Sequence, residues 1–302
     1  MGSSSGGGRS TAVRSLIVSS LEQQFPTKAI LEMVGLSAST YYYHRSRTPL
    51  PDRYAQVRPL LRETFDKSYR SYGYRRMKAV LGAKHGVNMS GKTVLKLMRQ
   101  EGRLCQVRKK KYKSFRGNVG RAAPNILERD FETKRPNTKW VTDVTEFTIL
   151  GQKQYFSAVI DLFNREVISY ELANSPVMVL VTGMLEKAFQ KLDSDQQLVM
   201  HSDQGWHYHH HSYRLALQRR GITQSMSRKG NCLDNAVAEN FFGHFKEEFI
   251  RQHTFTSISE FKRELEKYIH WFNHDRIQLK LKGLSPVQYR TQSLANLEPA
   301  PN

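Results

Sequence analysis

Three carboxylates and a lysine in the C-terminal half of the sequence have the types and settings that metal-assisted chemistry on a phosphodiester requires. Asp143 falls in the middle of Trp140–Ile149, a run that alternates and is rich in β-branched residues. It reads as a strand with Val141 and Phe147 on the same side as the acid. A charge among apolar neighbours is costly unless it is paired or holds a cation. Asp203 follows Leu198–His201, a short strand whose carboxyl end is where α/β sheets place their sites. Glu239 lies in Asn235–Phe249, which reads as a helix. Leu233, Val237, Phe241 and Phe245 form its apolar stripe, and Glu239 and Lys246, seven residues apart, share roughly the opposite face. Taken singly, each acid reads most simply as surface charge. Together they could hold Mg²⁺ or Mn²⁺, hard cations that prefer carboxylate and water. Two such ions would activate an attacking hydroxyl and stabilise a leaving oxygen at a phosphodiester, with Lys246 clamping the phosphate.

The elements around these acids predict a mixed α/β domain after Pro124. Gly151 marks a turn from the first strand into Gln154–Phe163, apolar enough for a buried strand, and Arg165–Leu172 is a third. Pro176–Leu192 and Tyr208–Arg220 read as helices, and Ile258–Phe272 as another before a Pro-containing tail.

A chain of 302 residues exceeds one ordinary domain. It carries +20 net charge, and residues 1–130 hold 26 Lys and Arg against 8 Asp and Glu, while the remaining 172 hold 21 against 19. A basic half to grip a polyanion and a near-neutral half holding carboxylates is the division of labour that a nucleic-acid enzyme needs. No apolar run reaches membrane-span length. Cys105 and Cys232 form neither a disulfide framework nor a metal knuckle, which fits a reducing cytoplasm. The Gly/Ser-rich start reads as an expression leader, outside the fold and unlike any export signal.

Within the basic half, Lys28–His44 has helix-turn-helix grammar: apolar residues at helical spacing, Gly35 in the turn and Ser37 as a possible N-cap. Ser39, Thr40, Tyr42 and His44 would face DNA from the second helix. A second helical module follows, in which Arg75 and Arg76, after Tyr72-Gly73-Tyr74, and Lys92 and Lys96 are candidate DNA contacts. Val94, Leu97 and Met98 form one stripe, with Lys92 and Lys96 off it. It ends in a cationic run with interleaved aromatics, including Arg108, Lys109, Lys110, Lys111 and Lys113, suited to a phosphate backbone and to base stacking.

Asp143, Asp203 and Glu239, with 35 residues between the last two, resemble the catalytic signature of retroviral-type integrases. Trp140–Thr145, Val159–Arg165, His201–Gly205, Ser225–Ala236, Tyr268–Asn273 and Lys280–Pro286 narrow this, and with Tyr72–Arg76 the chain resembles the OrfB-type transposases of bacterial insertion-sequence family three. The resemblance implies an α/β RNase-H-like integrase core preceded by all-α helix-turn-helix-type DNA-binding domains. It divides the chain into leader (1–10), helix-turn-helix domain (11–50), second basic domain and linker (51–123), catalytic core (124–255) and C-terminal helix and tail (256–302). It further implies nicking of an element's 3′ end and joining to another strand without a covalent protein intermediate. Asp143, Asp203 and Glu239 would bind the metals, and Lys246, Arg228 and Lys229 would contact DNA. Such proteins work as multimers on inverted-repeat ends and target DNA, often with a partner or fusion from an upstream reading frame. Gly205-Trp206-His207-Tyr208 and Gln278 depart from the common pattern.

Other readings stay open on sequence alone. His207 and His209–His211 could suggest zinc, though the spacing fits no common motif, and a helix N-terminal turn with exposed imidazoles is the simpler reading. Asp161 would anchor a turn at Phe163-Asn164, and Asp234 would cap the Glu239 helix. A DNA-binding regulator would have a broken triad, which this chain lacks. A plain nuclease would share every motif and differ only in its products.

Overall fold

The computed structural model describes residues 6–47, 52–105, 123–192, 196–228 and 232–296. Arg108, Lys109, Lys110, Lys111, Lys113 and Lys229 lie outside them. The chain divides into two compact units, Met1–Pro59 and Leu60–Asn302.

In the first unit α1 (Gly6–Leu21), α2 (Thr27–Val34) and α3 (Ala38–Arg47) enclose Val18, Ile30, Leu31, Leu36 and Tyr41. The Gly/Ser start was expected to stay outside the fold, yet α1 begins at Gly6, because Ser15 and Val18 further along are buried against α2 and α3. Gly35 takes φ +64° and, with Leu36, closes α2 by donating to the Glu32 and Leu31 carbonyls. That left-handed cap is what only Gly adopts without strain.

The division falls within α4 (Val57–Lys67), and α5 (Tyr74–His85) and α6 (Gly91–Gln100) follow in the second unit. Ser90 caps α6 by accepting from Thr93 N, and Leu61, Phe65, Met77, Leu81, Val94 and Leu97 are buried.

The remainder is a five-stranded sheet between two helical layers. Its strands are β1 (Lys139–Ile149), β2 (Gln152–Asp161), β3 (Val167–Ala173), β4 (Val199–Ser202) and β5 (Thr223–Met226), in the order β3-β2-β1-β4-β5. The first three form an antiparallel meander, whereas β4 and β5 run parallel to β1. Leu150 and Gly151, both at positive φ, make the two-residue turn that matches strand twist.

One face of the sheet is covered by α7 (Met178–Phe189), α8 (Trp206–His209) and α9 (His211–Arg219) around Trp140, Met184, Tyr208 and Tyr213. The other is covered by α10 (Ala236–His244), the π-helical turn Phe245–Ile250 and α11 (Ile258–His274), packed through Phe156, Phe241, Phe245, Phe249 and Tyr268. The helix α12 (Pro286–Ala295) closes the described chain with a Ser285–Gln288 capping box.

Three expected helices differ in detail. Tyr208–Arg220 is broken at His210, whose extended backbone ends α8 and whose imidazole caps α9 through Ser212 N. Pro176–Leu192 shortens to α7. Asn235–Phe249 is a 3-10 turn, α10 and a π turn in succession. No helix among the described residues is long and apolar enough to cross a membrane.

Candidate active site

Asp143 and Asp203 are brought together by strand register. The last paired residues of β1 and β4 are Thr142 and Ser202, and the two acids are the next residues on each chain. They therefore leave neighbouring parallel strands at the same step, where β4 ends and β1 continues. The Asp143 carboxylate accepts from the following amide, Val144 N, at 2.7 Å, and Asp203 Oδ1 accepts from Gly205 N at 2.8 Å. A Cβ at Gly205 would sit 3.0 Å from that same Asp203 oxygen, so a side chain there would press on the carboxylate.

Glu239 arrives from the opposite layer. Its helix is tied to the strand beside Asp143 by Asn235, whose Nδ2 donates to the Thr142 carbonyl at 3.2 Å. The three acids lie within electrostatic reach of one another. Burial, then the charges of Asp203 and Glu239, push Asp143 well above the ordinary carboxylate range. Burial raises Asp203 too, against the Gly205 amide and the His207 and His209 imidazoles. Burial and Asp203 push Glu239 up to about 7. Desolvation and like charge both favour the neutral acid, so the site stores unfavourable energy whenever all three are ionised.

Lys246 lies within electrostatic reach of Asp143. It sits in the π turn and donates to the Glu146 carbonyl at 2.9 Å. Burial lowers its pKa, opposed by Asp143 and Glu146.

Asp234, expected to cap α10, does something else. Fully buried, it accepts from Arg228 N, Nε and Nη2 at 3.0 Å each, from Arg129 Nε at 2.9 Å and from Asn125 Nδ2 at 3.0 Å. Asn235 holds the cap position without a side-chain capping bond to the helix. Arg228 is thereby paired with Asp234 while its side chain stays exposed to solvent. Asp161 does anchor its turn, accepting from Phe163 N and Asn137 N.

The imidazoles expected at an exposed helical turn are divided. His207 is buried, stacks on Trp206 at 3.9 Å and lies 3.1 Å from the Pro176 carbonyl. It turns inward because α8 is a single turn wedged between Asp203 and the segment before α7. Tyr208 beside it is buried too, and burial with the charges of Asp143 and Asp203 raises its phenol well above the usual value. Tyr208, Gly205 and Asn235 support the site, although in the sequence Gly205 and Tyr208 mark only a departure from the family pattern and Asn235 has no assigned role. Only the short segment Asp203–Tyr208 following a strand could have signalled two of them.

Among the other predicted residues, Ser39 and Tyr42 are exposed and Thr40 and His44 half-buried on α3, where Tyr41 instead points into the core and donates to Glu22 at 2.6 Å. Lys92, Lys96 and Arg75 are exposed. Arg76 is drawn inward: it packs over the Tyr72 ring, centroid 5.4 Å away, and lies 3.9 Å from the buried Glu248.

Family models for an integrase core domain match residues 133–232 and 239–294, and one for an HTH-like domain matches 53–111. InsK of insertion sequence element IS150 from Escherichia coli K12 is 47% identical over 92% of this chain and 98% of its own length. The chain belongs to the OrfB-type transposases of insertion-sequence family three. Transposase InsF for insertion sequence IS3A of the same organism is 30% identical to this transposase over 91% of the chain and 97% of InsF. A transposase of element IS1353 from Shigella flexneri is 38% identical over 91% of this chain but only 54% of its own length. Among solved structures, the simian T-cell lymphotropic virus intasome with the PP2A subunit B56 gamma aligns at a TM-score of 0.48. Identity there is 15%, over 74% of this transposase and 77% of that chain.

Proposed function

We propose that this transposase nicks the 3′ end of its insertion element and joins that end to another DNA strand by transesterification, using two Mg²⁺ or Mn²⁺ ions. The observation that carries this reading is the placement of Asp143 and Asp203 one step beyond the Thr142–Ser202 register pair, with the Glu239 helix tied back to Thr142. The donors are all carboxylate oxygens, the set that hard divalent cations select. Their mutual repulsion is what such a charge would relieve. Among the described residues no group of three or more Asp, Glu, His or Cys side chains is gathered closely enough to hold a metal ion. Asp143, Asp203 and Glu239 would hold the ions, which when bound supply activation of the attacking hydroxyl and charge stabilisation at the leaving oxygen.

The chain's own residues do the rest. Lys246 would exchange the Glu146 carbonyl for a phosphate of the DNA end, and the exposed cations Arg75, Lys92 and Lys96 would hold the duplex. On α3, Ser39, Thr40, Tyr42 and His44 would read the inverted repeat. We place the protein in the bacterial cytoplasm as a multimer on inverted-repeat ends and target DNA. We further propose an upstream-frame partner or fusion; this chain covers 54% of the length of the Shigella relative.

The test is a duplex carrying the inverted repeats that flank the gene, labelled at its 3′ end and incubated with Mg²⁺, with Mn²⁺ and with EDTA. Nicked and joined products that vanish with EDTA support the reading. Nicks without any joined strand would make the protein a nuclease instead.

A further inference from the structure

A second cavity lies on the other flank of the helix that carries Glu239, with a volume of about 450 Å³. Ala236, Asn240 and His244 of α10 line it, one turn apart, whereas Glu239 lies on a different face of the same helix. Its wall is apolar and aromatic, formed by Phe131, Ile160, Val237, Phe241 and Phe272. Its polar lining consists of cations and amides, including Arg165, Arg276, Lys280 and Gln278, with no carboxylate.

One of those donors is buried without a partner, and a second is only half-buried. Gln278 Nε2 is buried with no hydrogen-bond acceptor. Arg165 is half-buried at φ +63°, with the charge of Asp161 favouring its cation, and its guanidinium makes no hydrogen bond or ion pair among the described residues. Nearby Asp161 has both carboxylate oxygens occupied by backbone amides. Arg276, in contrast, is neutralised by Glu248 and serves as floor rather than as anion receptor. Buried donors without acceptors are costly to the free protein, and an enclosing ligand with acceptors removes that cost.

We propose that this cavity binds one unpaired nucleotide of the DNA, its base against the Phe241 and Phe272 side and its phosphate toward Arg165 and Lys280. The ligand class follows from the chemistry: an aromatic wall accepts a base face, amide donors accept base-edge or phosphate oxygens, and cations without a carboxylate accept an anion. The volume is in the range of about 300–1,000 Å³ typical of small-ligand pockets, which admits one nucleotide and excludes a stacked duplex. The proposal rests on the reading that the protein acts on DNA, but it requires neither cutting nor metal.

The experiment therefore uses the full chain carrying Glu239→Gln, without divalent metal. Two duplexes of one sequence are compared, one blunt and one ending in a single unpaired nucleotide, by equilibrium binding. Tighter binding of the unpaired end, on the order of tenfold, is expected. It should fall to parity in Arg165→Gln and in Gln278→Leu, and under excess dAMP. Unfolding temperature checks that each variant is folded, and two sites guard against failure of either. Equal affinity for both duplexes in the parent protein would overturn the proposal, as would a preference that survives both substitutions. If dAMP binds at Arg165 while the unpaired end gains nothing, a free nucleotide rather than DNA is the source and the DNA assignment falls. Failure of nicking in the separate assay of the triad would leave these readings unaffected.

Discussion

Glu248 and Arg276 meet as a buried, doubly hydrogen-bonded ion pair, Arg276 Nε donating to Glu248 Oε2 at 2.8 Å and Nη2 to Oε1 at 2.6 Å, with both side chains at most 2% exposed. Glu248 belongs to the π turn that continues the Glu239 helix, and Arg276 follows α11. His244 Nδ1 lies 3.1 Å from the same carboxylate and Arg76 at 3.9 Å. Tyr72 accepts from Ile277 N at 2.9 Å next door. The Tyr72–Arg76 motif thus braces the turn that presents Lys246.

Breaking this pair leaves a charge buried without a partner, which typically costs about 3–5 kcal/mol. Glu248→Gln is expected to lose stability of that order in denaturant unfolding. The double change Glu248→Leu with Arg276→Met should recover much of it. Burial works against ionised Glu248, but Arg276 and His244 outweigh it and hold the acid down to about 2. A depressed carboxylate stabilises the fold above its unfolded value and loses that contribution as pH falls toward 2. Acid unfolding of the wild type should therefore steepen below about pH 4.5 and flatten in the double variant.

The triad has the opposite sign. Glu239 is raised to about 7 and Asp143 and Asp203 are raised as well, so the folded chain holds more protons than the unfolded one above the ordinary carboxylate range. Without metal, stability should fall as pH rises through about 7. A bound divalent cation must displace those protons. Thermal melts should show a larger gain from Mg²⁺ at pH 8 than at pH 6, and Glu239→Gln should shrink the gain at both.

Asp234 organises the segment leading into α10 through Arg228, Arg129 and Asn125. Asp234→Ala is expected to lower the melting temperature and to reduce nicking and joining while duplex affinity changes little. Arg228→Ala, losing a partly exposed partner, should have the smaller effect of the two on melting.

Among the described residues Lys246 donates one hydrogen bond, to the Glu146 carbonyl. If it exchanges that for a phosphate, Lys246→Ala should weaken binding of cleaved ends and reduce the slope of log affinity against log salt by roughly one, seen in a salt titration.

Local pattern revealed the strands and most of the helices, because period-2 alternation around Asp143 and period-3.6 stripes in α6 and α11 are properties of short windows. It also set each acid on its element. What it missed depends on distant partners or on backbone geometry. Arg76 reads as a surface cation until Glu248, far along the chain, draws it inward. Asp234 reads as a cap until Arg228 and Arg129 claim both its oxygens. The π turn at Phe245–Ile250 and the break at His210 use residues as suited to plain α-helix. The start of α1 is hidden by Gly and Ser, whose low helix propensity is overridden by packing further along. The register that sets Asp143 beside Asp203 has no signature in either strand alone.

The most direct test of the account is strand transfer in a single turnover, using a labelled DNA end that already carries its 3′ hydroxyl and comparing wild type with Asp143→Asn, Asp203→Asn and Glu239→Gln. Each variant should bind the end with wild-type affinity, and each should lose joining by at least about a thousandfold with Mg²⁺, the loss expected when a residue acts as part of one unit. Any variant that binds normally and joins at the wild-type rate would contradict a shared site built from these three acids.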